Sequence, residues 1–140
     1  MIDSNVVLNK ASKVDQHLGR IRQKRGLSLD AFLNDIDCQE SILFNVQMAI
    51  QNCVDIASHV VGDEELGVPG STNDIFYLLE DNGYLSRDIT EKMISAVGFR
   101  NLLVHEYGKV DLKQVYEIAH NEIENLQEFV RVVLNHVGIS

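Results

Sequence analysis

Apolar residues recur every three or four positions along nearly the whole chain, the spacing of a single buried helical face. Val7, Ala11, Val14, Leu18 and Ile21 mark a first helix from about Ser4 to Arg25, which Gly26 stops. The stretch "SLDAFLND", with Ser28 as its cap, predicts a short turn of helix. Asp37 with Glu40 has the form of a capping box and predicts the start of a long second helix. Its stripe of Ile42, Val46, Ala49, Cys53, Ala57 and Val60 runs to about Val61. "GDEELGVPGST" contains the only proline and three glycines, so it reads as the main loop. Ser71 or Thr72 can cap a third, short helix, "NDIFYLLED", ended by Gly83. A fourth starts at Ser86 or Asp88, runs from about Arg87 to Tyr107, and is broken by Gly108. Asp111 caps a fifth, which carries Val115, Ala119, Leu126, Val130, Val133 and Val137. No stretch alternates long enough to argue for a strand. The pattern predicts an all-α, antiparallel bundle of about five helices.

The fourth helix interrupts its own pattern. On a wheel of about 100° per residue centred on Arg100, Ile89, Met93, Ala96, Val97, Leu103 and Val104 all fall within roughly 60° of it. Arg100 therefore sits in the middle of the apolar face, and Tyr107 projects from nearly the same direction. Asn101 and His105 stack on the flank, about 100–140° round. Gly98 lies beside them and would let another backbone come close. A buried, unpaired guanidinium is very costly. Either a buried carboxylate pairs with Arg100, or the face opens at a cleft or subunit interface where an anion can meet it.

Composition narrows the setting. The 140 residues are 45% apolar, enough for one compact domain spanning 1–140 with a real core and no low-complexity tract. No run reaches the roughly 20 apolar residues of a membrane span, and "MIDSNVVLNKASK" has no signal-like apolar region. Cys38 and Cys53 have no metal spacing around them and read as reduced thiols, so a cytoplasmic protein is expected. The net charge of −9 argues against non-specific nucleic-acid binding by the molecule as a whole. The charge is uneven, however. Six of the twelve Lys and Arg residues lie between Lys10 and Arg25, where Asp15 is the only acid. That stretch is +5 and the rest of the chain −14.

Arginine suits bidentate phosphate binding and stays charged at any cellular pH. Histidine is the usual proton carrier near neutrality. Together they suffice for metal-independent RNA cleavage: a base takes the ribose 2′-proton, the oxygen attacks the adjacent phosphate, and a cation stabilises the added charge. One histidine per chain is thin for both acid and base duty. A two-fold dimer that faces two such helices would supply a second copy.

"RNLLVHEY" has the form R-x-x-x-x-H-x-Y with a polar residue after the arginine. It resembles the active-site motif of the HEPN ribonucleases, in particular the HepT toxins. The likeness extends over the basic first helix, the long second helix, the Gly- and Pro-containing loop, "YLLEDNGYLS" and "MISAVGFRNLLVHEYGKVD". It implies a helical homodimer whose interface cleft is lined by Arg100 and His105 of both subunits. It also implies metal-independent RNA cleavage as the toxic activity. The cognate antitoxin of such a type VII pair would be a minimal nucleotidyltransferase, able to transfer AMP from ATP onto the motif tyrosine, here Tyr107. A bulky anionic adduct beside Arg100 would occupy the cleft and neutralise its charge. The same fold also resembles non-catalytic substrate-binding partner subunits of nucleotidyltransferases, which is the alternative reading.

The remaining signals are weaker. Lys10, Lys13, His17, Arg20 and Lys24 step by three and four, so they share one face of the first helix. They form a track for RNA phosphates, a surface for an acidic antitoxin, or a solvated face. Glu117 and His120 have the spacing of carboxylate-bridged metal bundles, but there is one copy where such sites need two, so a surface pair is expected. His59 and His136 lie near helix ends, where terminal carbonyls suffice as partners. No Gly-rich phosphate loop is present, so ATP would be the partner's cosubstrate and no cofactor or metal is expected in this chain.

Overall fold

A computed structural model describes residues 1–139. Among them are seven α-helices and no strand: α1 (Ser4–Lys24), α2 (Leu29–Leu33), α3 (Ile36–Asp63), α4 (Thr72–Asp81), α5 (Arg87–His105), α6 (Leu112–Asn121) and α7 (Ile123–His136). A 3-10 turn, Tyr107–Lys109, links α5 to α6. The all-α expectation holds; the count exceeds five because α2 is a distinct turn of helix and the last helix is divided.

The division has an identifiable cause. In a continuous helix the Ala119 carbonyl would accept from Ile123 N–H. Here it accepts from Arg25 Nη1 at 3.1 Å, and Glu122 stays in the right-handed region but stretches to φ −119°. Arg25 and Arg22 also lie 3.5 and 3.7 Å from Glu124. Part of the basic segment therefore anchors the last helix to the first.

Polar side chains set most helix starts. Asp3 Oδ1 accepts from Asn5 and Val6 N–H, Ser28 Oγ from Ala31, Ser71 Oγ from Asp74 and Ser86 Oγ from Ile89. This settles Ser71 over Thr72 and Ser86 over Asp88. The cap of α3 is Asp35, which accepts from Cys38 N–H, rather than Asp37. Asp37 lies inside the first turn, where its charge favours the positive helix end. At its other end α3 continues through Gly62 and Asp63, so the main loop is shorter than its glycines suggested. Gly83, at φ +82°, ends α4: its N–H and that of Tyr84 return to the Glu80 and Leu79 carbonyls.

α3 is the central element. α1 packs along it, and α4, α5, α6 and α7 also contact it. The core joins Val7, Val14, Leu18 and Ile21 of α1 to Ile42, Val46, Ala49, Cys53, Ile56 and Val60 of α3, all nearly inaccessible. Phe76 of α4 and Phe129 of α7 meet edge to face with ring centroids 5.6 Å apart, and Met93 and Val97 of α5 belong to the same buried core. Burial pushes the Cys53 thiol well up, with Asp55 adding to the effect, so this sulfur is a packing group and not a nucleophile. No helix of the described residues is long and apolar enough to cross a membrane.

Candidate active site

The second half of α5 carries the polar residues singled out by the sequence. Arg100 is half-buried, and it finds no carboxylate: among the described residues it makes no ion pair. Its Nη1 donates to the Gln51 side-chain oxygen on α3, and its Nη2 donates to Asn101 Oδ1 at 2.7 Å. Nε is buried without a hydrogen-bond partner among the described residues. Each Nη carries a second hydrogen that no acceptor among the described residues takes. Of the two arrangements open to a centrally placed arginine, the structure has the one in which its charge stays uncancelled.

His105 is the last residue of α5, exposed and one turn beyond Asn101. Tyr107 differs from the wheel. α5 stops two residues early because Glu106 takes φ −139°, ψ 47°, and Tyr107 opens the 3-10 turn instead of continuing the helix above Arg100. That turn is closed by Lys109 N–H to the Glu106 carbonyl at 2.8 Å and by a Glu106–Lys109 ion pair at 3.1 Å. Tyr107 is 59% exposed, and among the described residues its hydroxyl makes no hydrogen bond. Gly108 keeps an ordinary backbone conformation, so it is the turn, not the glycine, that ends the helix. At Gly98 a Cβ would meet nothing within 4 Å, so any close approach there is made by another molecule.

The basic face of α1 divides in two. His17 is buried, with Nδ1 2.8 Å from Asn45 Oδ1 and its ring against Phe44. Lys10 is 27% exposed and its Nζ donates to Asp55 Oδ2 at 3.1 Å. Both lie on the border of the core stripe, and of the five, Lys13, Arg20 and Lys24 are exposed and make no ion pair among the described residues. The continuous five-residue track is thus reduced to three. On α6, Glu117 is exposed, while His120 bonds the Tyr116 carbonyl and stacks on its ring. Among the described residues no three His, Cys, Asp or Glu side chains gather as metal ligands.

Sequence reasoning missed Gln51 and Asp55. Gln51 Nε2 donates to Asp55 Oδ1 at 3.0 Å, so the Arg100 contact continues into the Lys10–Asp55 pair. Their only signal was a Gln and an Asp four apart on α3, which carries many other polar residues, Gln39, Asn45 and Asn52 among them. Nothing in the spacing says that α5 is what they face.

A strandless bundle whose α5 carries an unneutralised arginine and, five residues on, a histidine places the protein in the class of HEPN helical domains. Within that class the chain belongs to the ribonuclease HepT-like family, whose model matches residues 14–133. It is 29% identical over 130 residues to the mRNA nuclease HepT of Shewanella oneidensis, covering 93% of this chain and 97% of that protein. It is 21% identical over 136 residues to the tRNA nuclease HepT of Aphanizomenon flos-aquae, covering 97% and 92%. Among solved structures, the tri-AMPylated Shewanella oneidensis HEPN toxin in complex with MNT antitoxin superposes with a TM-score of 0.88 at 28% identity, over 95% of this chain and 99% of that one.

Proposed function

We propose that this protein is the toxin of a type VII toxin–antitoxin pair, a metal-independent endoribonuclease silenced by AMP transfer onto Tyr107. One observation carries the reading: Arg100 interrupts an apolar helix face, yet it is held by two amides and keeps its charge for an external anion. A guanidinium so presented matches a phosphodiester.

In the proposed reaction a histidine takes the 2′-proton of the ribose, and the 2′-oxygen attacks the adjacent phosphorus. The bond from phosphorus to the 5′-oxygen breaks, and a second proton donor protonates the leaving oxygen. The products are a 2′,3′-cyclic phosphate and a 5′-hydroxyl. Arg100 stabilises the charge that grows on the phosphoryl oxygens, which is the larger contribution. Asn101 positions the guanidinium through Nη2. His105 supplies acid and base duty from two copies across a two-fold homodimer, which also covers the exposed Val104 and Phe44. Lys13, Arg20 and Lys24 add salt-dependent affinity for RNA phosphates or for the antitoxin.

The partner is a minimal nucleotidyltransferase that uses ATP. The Tyr107 oxygen attacks the α-phosphorus, pyrophosphate leaves, and AMP remains on the phenol. Exposure of Tyr107 on a short turn suits entry into another enzyme's active site. The AMPylated state of the Shewanella oneidensis toxin supports the same control here.

Expression in a bacterial host tests the reading. Wild-type protein is expected to arrest growth, and co-expression with its cognate nucleotidyltransferase should restore growth and add the mass of an adenylyl group to the Tyr107 peptide. An unmodified Tyr107 peptide in rescued cells would remove the AMP step. Nucleotide binding without any RNA cleavage would instead establish a non-catalytic partner subunit.

A further inference from the structure

We propose that Gln51 is a positioning residue for Arg100, and that the Lys10–Asp55 pair fixes which way round the Gln51 amide sits; this rests on the phosphate-binding role proposed above. A half-buried arginine needs acceptors, because its donors lose water there. A carboxylate would hold it best, but it would also cancel the charge that a phosphodiester must meet. An amide oxygen accepts without neutralising. Gln51 Oε1 occupies that place on α3.

An amide has a complementary weakness. Turned about its last bond, Gln51 would present its NH2 group to Arg100, donor against donor. Asp55 excludes that orientation. It lies one helical turn along α3, and its Oδ1 accepts from Gln51 Nε2 at 3.0 Å. A carboxylate offers no donor, so only one orientation of the amide satisfies Asp55 and Arg100 together. Lys10, reaching from α1, donates to the other oxygen, Oδ2, at 3.1 Å and balances the charge. The resulting chain runs Lys10, Asp55, Gln51, Arg100, Asn101 across α1, α3 and α5. Its one negative charge is paired at the far end and separated from Arg100 by a neutral group.

Two near-isosteric substitutions read this directly, since Met and Glu are both good helix formers. Gln51→Met removes the acceptor and leaves the charge of Arg100 intact. It should lower the single-turnover rate of RNA cleavage about tenfold, with RNA affinity nearly unchanged. Gln51→Glu substitutes a carboxylate and should do more, lowering the rate about 100-fold. It should also weaken binding of a non-cleavable 2′-deoxy-substituted RNA and flatten the salt dependence by about one phosphate contact, a slope change of roughly 0.7. The new carboxylate also faces Asp55 Oδ1, where Gln51 Nε2 donates at 3.0 Å, so the variant's thermal midpoint should fall through like-charge repulsion. The discriminating readout is therefore the salt slope, which a purely structural role for Gln51 would leave alone. Asp55→Asn, which lets the amide turn, should fall between wild type and Gln51→Met in rate. Independently of activity, side-chain 15N spectra should show Arg100 guanidinium rotation slowed in the wild-type protein and freed in whichever of Gln51→Met and Asp55→Asn folds.

Arg100→Ala separates the two levels of the argument. If it loses cleavage while Gln51→Met and Gln51→Glu cut at the wild-type rate with the wild-type salt slope, Gln51 has no positioning role and the ribonuclease reading stands. If Arg100→Ala itself cleaves like wild type, the ribonuclease reading fails and takes this role with it.

Discussion

Arg100→Ala is expected to lower single-turnover RNA cleavage by about 10³-fold or more, the scale for removing a cation that stabilises transition-state charge. His105→Ala should cost about 10²–10⁴-fold, the usual contribution of a positioned acid or base. Both proteins should stay folded. His105 is exposed at a helix end, and Arg100 has no ion-pair partner whose charge would be stranded. Removing Arg100 leaves the Gln51 oxygen short of a donor, a penalty of about 1 kcal/mol. Arg100→Lys should recover little, because a single ammonium cannot meet Gln51, Asn101 and a phosphate in one plane. Cleavage rates paired with thermal unfolding monitored by circular dichroism check this. A large rate loss with the midpoint lowered by no more than about 5 °C is the expected pattern.

The second large effect is of the opposite kind. Phe129→Ala, or Phe76→Ala, should destabilise the fold by about 3–5 kcal/mol, since each ring is fully buried and leaves a cavity. The two rings pack edge to face at 5.6 Å, so a double-mutant cycle should show about 0.5–1.5 kcal/mol of coupling between them. Against a typical total of about 5–15 kcal/mol, one such loss removes a large share of stability. α4 and α7 both pack on α5, so activity should fall with the folded fraction. Urea denaturation midpoints, measured beside cleavage rates, distinguish this loss from that of Arg100→Ala.

Periodicity carried most of the fold because each helix buries a well-marked stripe. Val7 to Ile21 and Ile42 to Val60 were legible as faces, and both are buried as expected. Where a second group competes for a backbone or side-chain partner, the pattern is silent. The break at Glu122 depends on Arg25 taking the Ala119 carbonyl, a contact between residues 94 positions apart. The wheel placed Arg100 correctly as an intruder on an apolar face, but it carried Tyr107 along a helix that stops at His105. His17 shares the spacing of four basic residues, yet it turns inward because Asn45 offers a buried partner. Gln51 was invisible for the same reason. Its meaning depends on which helix lies opposite, 49 residues away, and spacing within one helix cannot say.

The central claim is that Arg100 and His105 drive attack by the ribose 2′-oxygen without a metal ion. Purified protein incubated with an RNA oligonucleotide in excess chelator, beside the same oligonucleotide made 2′-deoxy at the cut site, tests it most directly. The account predicts full cleavage of the RNA, to a 2′,3′-cyclic phosphate and a 5′-hydroxyl, and none of the deoxy substrate. Cleavage that stops in chelator and returns with Mg²⁺, or equal cutting of the deoxy substrate, would contradict it.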